Sequence, residues 1–128
     1  MSLMDQLKIL VVDDTTTSRM LVIEALKEIG FKNISIAHNG AEALKIMMSQ
    51  PPHLVISDFE MPNLDGIGLL QGIRSYGPIR HTPFVMVTGR GDKNLIERGR
   101  QLGMNNYVTK PFTAATIKTA LQAIIRGL

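Results

Sequence analysis

The stretch Leu54-Val55-Ile56-Ser57-Asp58-Phe59-Glu60-Met61-Pro62 decides how the rest of the chain is read. An apolar run stops on a carboxylate, Asp58, and Pro62 and the turn pair Asp65-Gly66 follow. A short apolar run bounded by turn residues reads as a buried strand. A carboxylate at the C-terminal end of such a strand stands where open α/β sheets place their ligands. Asp58 is therefore the candidate functional centre, and the rest of the chain is read for what it assembles around it.

On the N-terminal side, Lys8-Ile9-Leu10-Val11-Val12 is a β-branched run that ends on Asp13-Asp14 and reads as a first strand buried on both faces. Thr15-Thr16-Thr17-Ser18 supplies helix N-caps. Met20, Leu21, Ile23, Leu26 and Ile29 then recur at helical spacing, and Gly30 is placed to stop the helix. Asn33 to His38 alternates around Ile34 and Ile36 and reads as a second strand. Asn39 is read as the cap of a helix carrying Ala41, Ala43, Leu44, Met47 and Met48, not as the start of an Asn-Gly hairpin; Pro51-Pro52 ends that helix.

On the C-terminal side, Asp65 caps a helix carrying Ile67, Leu69, Leu70 and Ile73, closed by Tyr76-Gly77-Pro78. Gly66, Gly68 and Gly72 weaken it by up to about 1 kcal/mol per interior glycine, so packing has to hold it. Pro83 to Thr88 reads as the fourth strand and Gly89-Arg90-Gly91 as a loop. Asp92 caps a helix to about Leu102, and Asn106-Tyr107-Val108-Thr109 is a short fifth strand. The last helix starts at Thr113 with Ile117, Leu121, Ile124 and Ile125 on one face.

Strand and helix alternate five times. The expected fold is therefore α/β: a doubly wound, three-layer (βα)5 arrangement with a five-stranded parallel sheet, right-handed crossovers and helices on both faces. The 128 residues suit one domain over 1–128, with 1–5 expected as a flexible leader and no output domain expected after the final helix. The formal charge of +3 is mild and no long run of Lys and Arg marks a nucleic-acid binder. The lack of Cys excludes disulfides, thiolate metal sites and a Cys nucleophile. No apolar run approaches the ~20 residues of a membrane span, and no signal-peptide pattern stands at the N-terminus, so the cytoplasm is the expected compartment. His38, His53 and His81 show no ligand spacing.

In a parallel sheet all C-terminal strand ends lie on one edge. That brings Asp13-Asp14, Asp58, Thr88 and Lys110 together. Crowded carboxylates raise one another's pKa unless a cation neutralises them. A small set of hard oxygen ligands suits Mg²⁺, which keeps several waters and favours phosphate oxygens. Thr88 and Lys110 could hold the other oxygens of a phosphoryl group. The chemistry suggested is in-line attack of a carboxylate on phosphorus, giving an acyl phosphate.

Four motifs carry a resemblance: Val12-Asp13-Asp14, Ser57-Asp58-Phe59-Glu60-Met61-Pro62-Asn63-Leu64-Asp65-Gly66, Val87-Thr88-Gly89 and Lys110-Pro111-Phe112. Together, in order and each at a strand end, the sequence resembles the receiver domains of two-component response regulators, in particular the single-domain CheY type of chemotaxis. The likeness runs from about Gln6 to Gly127. The strand order 2-1-3-4-5 of the flavodoxin-like fold comes with that resemblance, CheY being a known example of it, and is not read from the residues.

The resemblance implies roles. Asp58 is the phosphoacceptor. Asp14, Asp58 and the backbone carbonyl of Glu60 bind Mg²⁺, with Asp13 assisting. Thr88 binds a phosphoryl oxygen, Lys110 pairs with the phosphoryl group ahead of a cis Pro111, and Tyr107 is the switch aromatic. The implied partners are a sensor His kinase of the CheA-like kind and, on a face made by the fourth helix, fifth strand and fifth helix, the flagellar motor switch or another output protein. No nucleic acid or membrane is implied, and a monomer is expected. A phosphate sink that drains the kinase is the rival within this class. A small Mg²⁺-dependent aspartyl-phosphate hydrolase is the rival from another. That class usually carries a second Asp two residues after the nucleophile, where this chain has Glu60, and a cap domain, which is not expected here.

Two positions depart from common chemotaxis regulators. Glu60 stands where Asn is frequent, and Arg90, two residues after Thr88, stands where an acid is frequent. Both are expected to flank the approach of water to an acyl phosphate and to set its lifetime. Exchanging Glu60→Asn and Arg90→Glu is expected to change the rate of phosphate loss from the phosphorylated protein; rates equal to wild type in both variants would refute this.

Overall fold

The computed structural model describes residues 2–89 and 91–128. Five strands, β1 (Lys8–Val12), β2 (Asn33–Ala37), β3 (Leu54–Asp58), β4 (Phe84–Thr88) and β5 (Asn106–Thr109), form one parallel sheet in the order β2-β1-β3-β4-β5. Between and after them run α1 (Thr16–Ile29), α2 (Gly40–Ser49), α3 (Gly66–Ser75), α4 (Lys93–Gln101) and α5 (Ala114–Gln122). This is the doubly wound fold and strand order expected. Among the described residues no helix is long and apolar enough to cross a membrane.

Alternate residues of a strand face opposite sides of a sheet, so one run feeds two cores. Ile9 and Val11 of β1 join Val22, Leu26, Val85, Val87, Ile117 and Leu121 in the layer beneath α1 and α5. Leu10 and Val12 join Met47, Leu69, Leu70, Ile73, Phe84 and Met86 beneath α2 and α3, with Leu95 and Ile96 of α4 packed at the side.

Caps set the helix starts. The side chain of Asn39 accepts the Glu42 N–H at 2.8 Å, that of Asp65 accepts the Gly68 N–H at 2.8 Å, and that of Asp92 accepts the Asn94 N–H at 2.8 Å. Thr113 and Thr116 form a reciprocal capping box. At the other end of α1, Gly30 takes φ 122°, a conformation that suits glycine alone, and its N–H bonds back to Leu26 and Lys27.

Two expectations change. In the segment expected as a flexible leader, Leu3–Gln6 form a helix capped by Ser2, whose hydroxyl accepts the Asp5 N–H at 3.3 Å. Met4 gives the turn a reason to fold, because it packs on the layer beneath α1 and α5. At the far end α5 stops at Gln122. Ile124 and Ile125 lie in the turn beyond it, both amides bonding to the Leu121 carbonyl, and still reach the same core. Apolar spacing marked their burial correctly and the helix end too late.

Sequence periodicity carried no signal for the role of Arg74, in the last turn of α3. Its guanidinium donates to the carbonyls of Arg80 (2.9 Å), Thr82 (2.7 Å) and Gly103 (2.8 Å) and to Asn105 Oδ1 (3.2 Å). Asn105 Oδ1 also accepts the Phe84 N–H at 2.8 Å. One side chain thus ties the loop before β4 to the loop before β5. Arg74→Met leaves several of these acceptors without a donor and is expected to cost about 1–3 kcal/mol. Arg74→Lys is expected to fall between, since an ammonium lacks the planar fork. Thermal unfolding by circular dichroism checks both; a midpoint for Arg74→Met within a degree of wild type would remove the clamp from this account.

Candidate functional site

The site lies on the sheet edge where β1, β3, β4 and β5 end. β1 hands over to Asp13 and Asp14. Asp13 is buried and Asp14 is exposed. Asp58 is the last residue of β3, only 7% exposed, and Thr88, the last of β4, is fully buried. One carboxylate oxygen from each of Asp13, Asp14 and Asp58 can lie within 4.8 Å of the others. Lys110 follows β5, its N–H donating to the Thr88 carbonyl at 2.8 Å, and its Nζ stands 3.0 Å from Asp58 Oδ1. The Lys110–Pro111 peptide is cis, as the resemblance implies.

The packing beneath Asp58 explains a glycine that read as mere helix weakness. A Cβ at Gly66 would stand 2.8 Å from the Asp58 carbonyl oxygen and 2.5 Å from Met86 Sδ. The Gly66 N–H also donates to the Phe59 carbonyl at 2.9 Å. The first turn of α3 therefore lies directly on the strand end that carries the central carboxylate. Asn63, in the loop between them, takes φ 69°, which asparagine tolerates better than most residues.

The other expected residues sit further out. Glu60 is exposed, beside a shallow depression lined by Phe59, Met61, Pro62 and Asp65. Tyr107 is half-buried and packs on the layer beneath α2, α3 and α4. It pairs in register with Met86, as Thr109 pairs with Thr88, so Tyr107 and Thr88 belong to the same face of the sheet. Tyr107 also lines a surface groove with Arg100, Val108 and Thr109. Arg90 lies outside the described residues.

One residue of the site surroundings escaped the sequence reading. Arg19 is nearly buried in α1, and its guanidinium donates to the Asp13 carbonyl at 2.9 Å. The available signal was a charged residue one turn before Val22 and two turns before Leu26, on the face of α1 that is buried.

Electrostatics at the edge are strained in one direction. Burial pushes the Asp58 carboxyl above its ordinary value, and the Asp13 charge adds to that; the Lys110 hydrogen bond and charge and the Phe59 N–H pull back without cancelling it. The donor set is all carboxylate oxygen, which fits a hard cation that would relieve this repulsion. Because the folded chain holds the Asp58 proton more tightly than the unfolded chain, the penalty appears as pH rises through the raised pKa and is absent below the ordinary 3.8. Asp58→Asn keeps an acceptor for Lys110 and removes the charge. It is expected to raise the metal-free thermal midpoint at pH 7 by a few degrees, about 1 kcal/mol, with the gap closing as the pH falls towards 4. A midpoint lowered at pH 7 would contradict this balance.

Comparison with known proteins agrees with the geometry. The sequence pattern of the response regulator receiver domain matches residues 9–122. A probable chemotaxis protein CheY of Rhizobium etli is 46% identical over 128 residues, covering 100% of this chain and 99% of the relative. Chemotaxis protein CheY-3 of Vibrio cholerae is 38% identical over 122 residues, covering 95% and 94%. Among solved structures, chemotaxis protein CheY4 of Vibrio cholerae superposes with a TM-score of 0.86 at 28% identity, covering 93% of this chain and 98% of that one. With this fold, this strand-end constellation and these relatives, the chain belongs to the response regulator receiver domain family.

Proposed function

We propose that this protein is a phosphorylation-activated switch of a chemotaxis-like two-component pathway, working as one receiver domain in the cytoplasm. The observation that carries the proposal is the buried Asp58 carboxylate, held 3.0 Å from Lys110 Nζ and crowded by Asp13 and Asp14. The full-length similarity to CheY proteins supports the chemotaxis assignment.

In this reading a carboxylate oxygen of Asp58 attacks the phosphorus of a kinase phosphohistidine. The phosphorus–nitrogen bond breaks with its electron pair on the imidazole. The Lys110 ammonium neutralises charge on the transferred group, and the Thr88 hydroxyl donates to one of its oxygens. Asp13, Asp14, Asp58 and the Glu60 carbonyl would hold Mg²⁺, which when bound offsets the negative charge of carboxylates and phosphoryl group alike. The acyl phosphate carries roughly −1.5 to −2 charges where the Asp58 carboxylate carried one, and it places them on oxygens beyond the end of β3. Thr88 and Tyr107 share a sheet face, which gives a physical route from that event to the surface formed by α4, β5 and α5, where an output protein such as the flagellar motor switch would bind.

Incubation with acetyl phosphate and Mg²⁺ followed by intact-mass measurement tests the assignment. Wild type is expected to gain one phosphoryl group, and Asp58→Asn none. No Asp58-dependent adduct, and no Asp58-dependent release of phosphate from the donor, would overturn it.

A further inference from the structure

Asp13 is held at three points. Its N–H donates to the Ala37 carbonyl at 3.1 Å, one of its carboxylate oxygens accepts the Thr15 N–H at 3.0 Å, and its carbonyl accepts from Arg19 Nη1 at 2.9 Å. The first two contacts are made by backbone amides at the end of β1. The third is different, because it takes a long charged side chain, 9% exposed, to reach back from inside α1. Taking a guanidinium out of water is costly unless its donors are used. Arg19 uses them on the Asp13 carbonyl and, more distantly, on the Thr16 hydroxyl at 3.4 Å. No ion pair links Arg19 to a carboxylate among the described residues. A buried cation next to an acidic cluster that spends its best hydrogen bond on a main-chain oxygen is placed to fix a backbone, not to neutralise a charge.

We infer that Arg19 is a positioning residue for the carboxylate cluster: by gripping the Asp13 carbonyl it fixes the turn that presents Asp13 and Asp14, and thereby sets the cluster's affinity for a divalent cation. The peptide unit whose oxygen Arg19 holds is the one that joins Asp13 to Asp14. Fixing that plane constrains the starting direction of both side chains. Asp14 is exposed and has no burial of its own to hold it, so it depends most on this constraint. The inference rests on the proposed use of the cluster for Mg²⁺.

Two effects of Arg19 on cation binding have opposite signs, which makes the inference testable. Its positive charge alone weakens binding of Mg²⁺, whereas its grip strengthens binding by pre-arranging the ligands. Arg19→Lys keeps the charge and loses the fork. Calorimetric titration of the metal-free protein with MgCl₂, made well below each variant's thermal midpoint, is expected to show about tenfold weaker binding for Arg19→Lys, the lower end of what loss of an outer-shell partner costs. Amide NMR signals of Asp14 and Thr15 in the metal-free variant are expected to broaden or shift, while those of the β3 and β4 core stay in place. Arg19→Lys binding Mg²⁺ like wild type overturns the inference, whatever happens to its thermal midpoint, since replacing a merely stabilising residue lowers the midpoint and leaves the affinity of the folded protein unchanged. Tighter binding by Arg19→Met together with unchanged binding by Arg19→Lys also overturns it, showing that charge alone matters. Wild type that binds no Mg²⁺ overturns the functional reading and this inference with it; wild type that binds and is matched by Arg19→Lys overturns the inference alone.

Discussion

Like charges gathered at a buried sheet edge are the constraint on which the rest of this structure depends. Parallel strands all end on one side, and in this chain three of the residues standing there are acids. Water cannot screen them fully, because Asp13 and Asp58 are withdrawn from it. The fold answers with one cation on either side of the cluster, and the two act differently. Lys110 meets Asp58 head-on at 3.0 Å from the end of β5. Arg19 approaches from α1 and holds the backbone instead. The remaining imbalance, seen in the raised carboxyl of Asp58, is one that a bound cation would relieve.

Rigid support is a condition for such an arrangement. Carboxylates on flexible loops would swing apart until their repulsion vanished. Here β3 is buried along its whole length and flanked on both sides by paired strands, so Asp58 cannot retreat. The start of α3 lies directly against it, with Gly66 leaving no room for a side chain. Two cores, one on each face of the sheet, hold the strands in register, and a slip of one residue would send every side chain of a strand to the wrong layer.

Most of this was legible in the sequence, for a physical reason. Buried parallel strands must be apolar throughout, so a polar residue at the end of such a run stands out, and Asp13, Asp14, Asp58 and Thr88 each do. Lys110 was legible through its place after β5 and its proline. The caps Asn39, Asp65 and Asp92 were legible because few residue types can satisfy a free helix amide. What escaped were interactions with no periodic signature. Arg74 and Arg19 look like ordinary helix residues until the main-chain oxygens they hold are seen. Gly66 read as a weakness because propensity concerns the helix alone and not what the helix lies on. The helix end at Gln122 was misplaced because burial of Ile124 and Ile125 continues where the hydrogen-bond pattern stops.

The clamp made by Arg74 has a consequence for how such a domain diversifies. Three of its four acceptors are main-chain carbonyls, those of residues 80, 82 and 103. A carbonyl is present whatever side chain is attached to it. At residues 80 and 82, therefore, mutation can rewrite the surface without loosening the tie between the two loops. Residue 103 is the exception, since its φ of 91° favours glycine and an added Cβ would stand 2.8 Å from Arg74 Nε. New surface chemistry at residues 80 and 82, in the loop before β4, is thus compatible with the same scaffold beneath it.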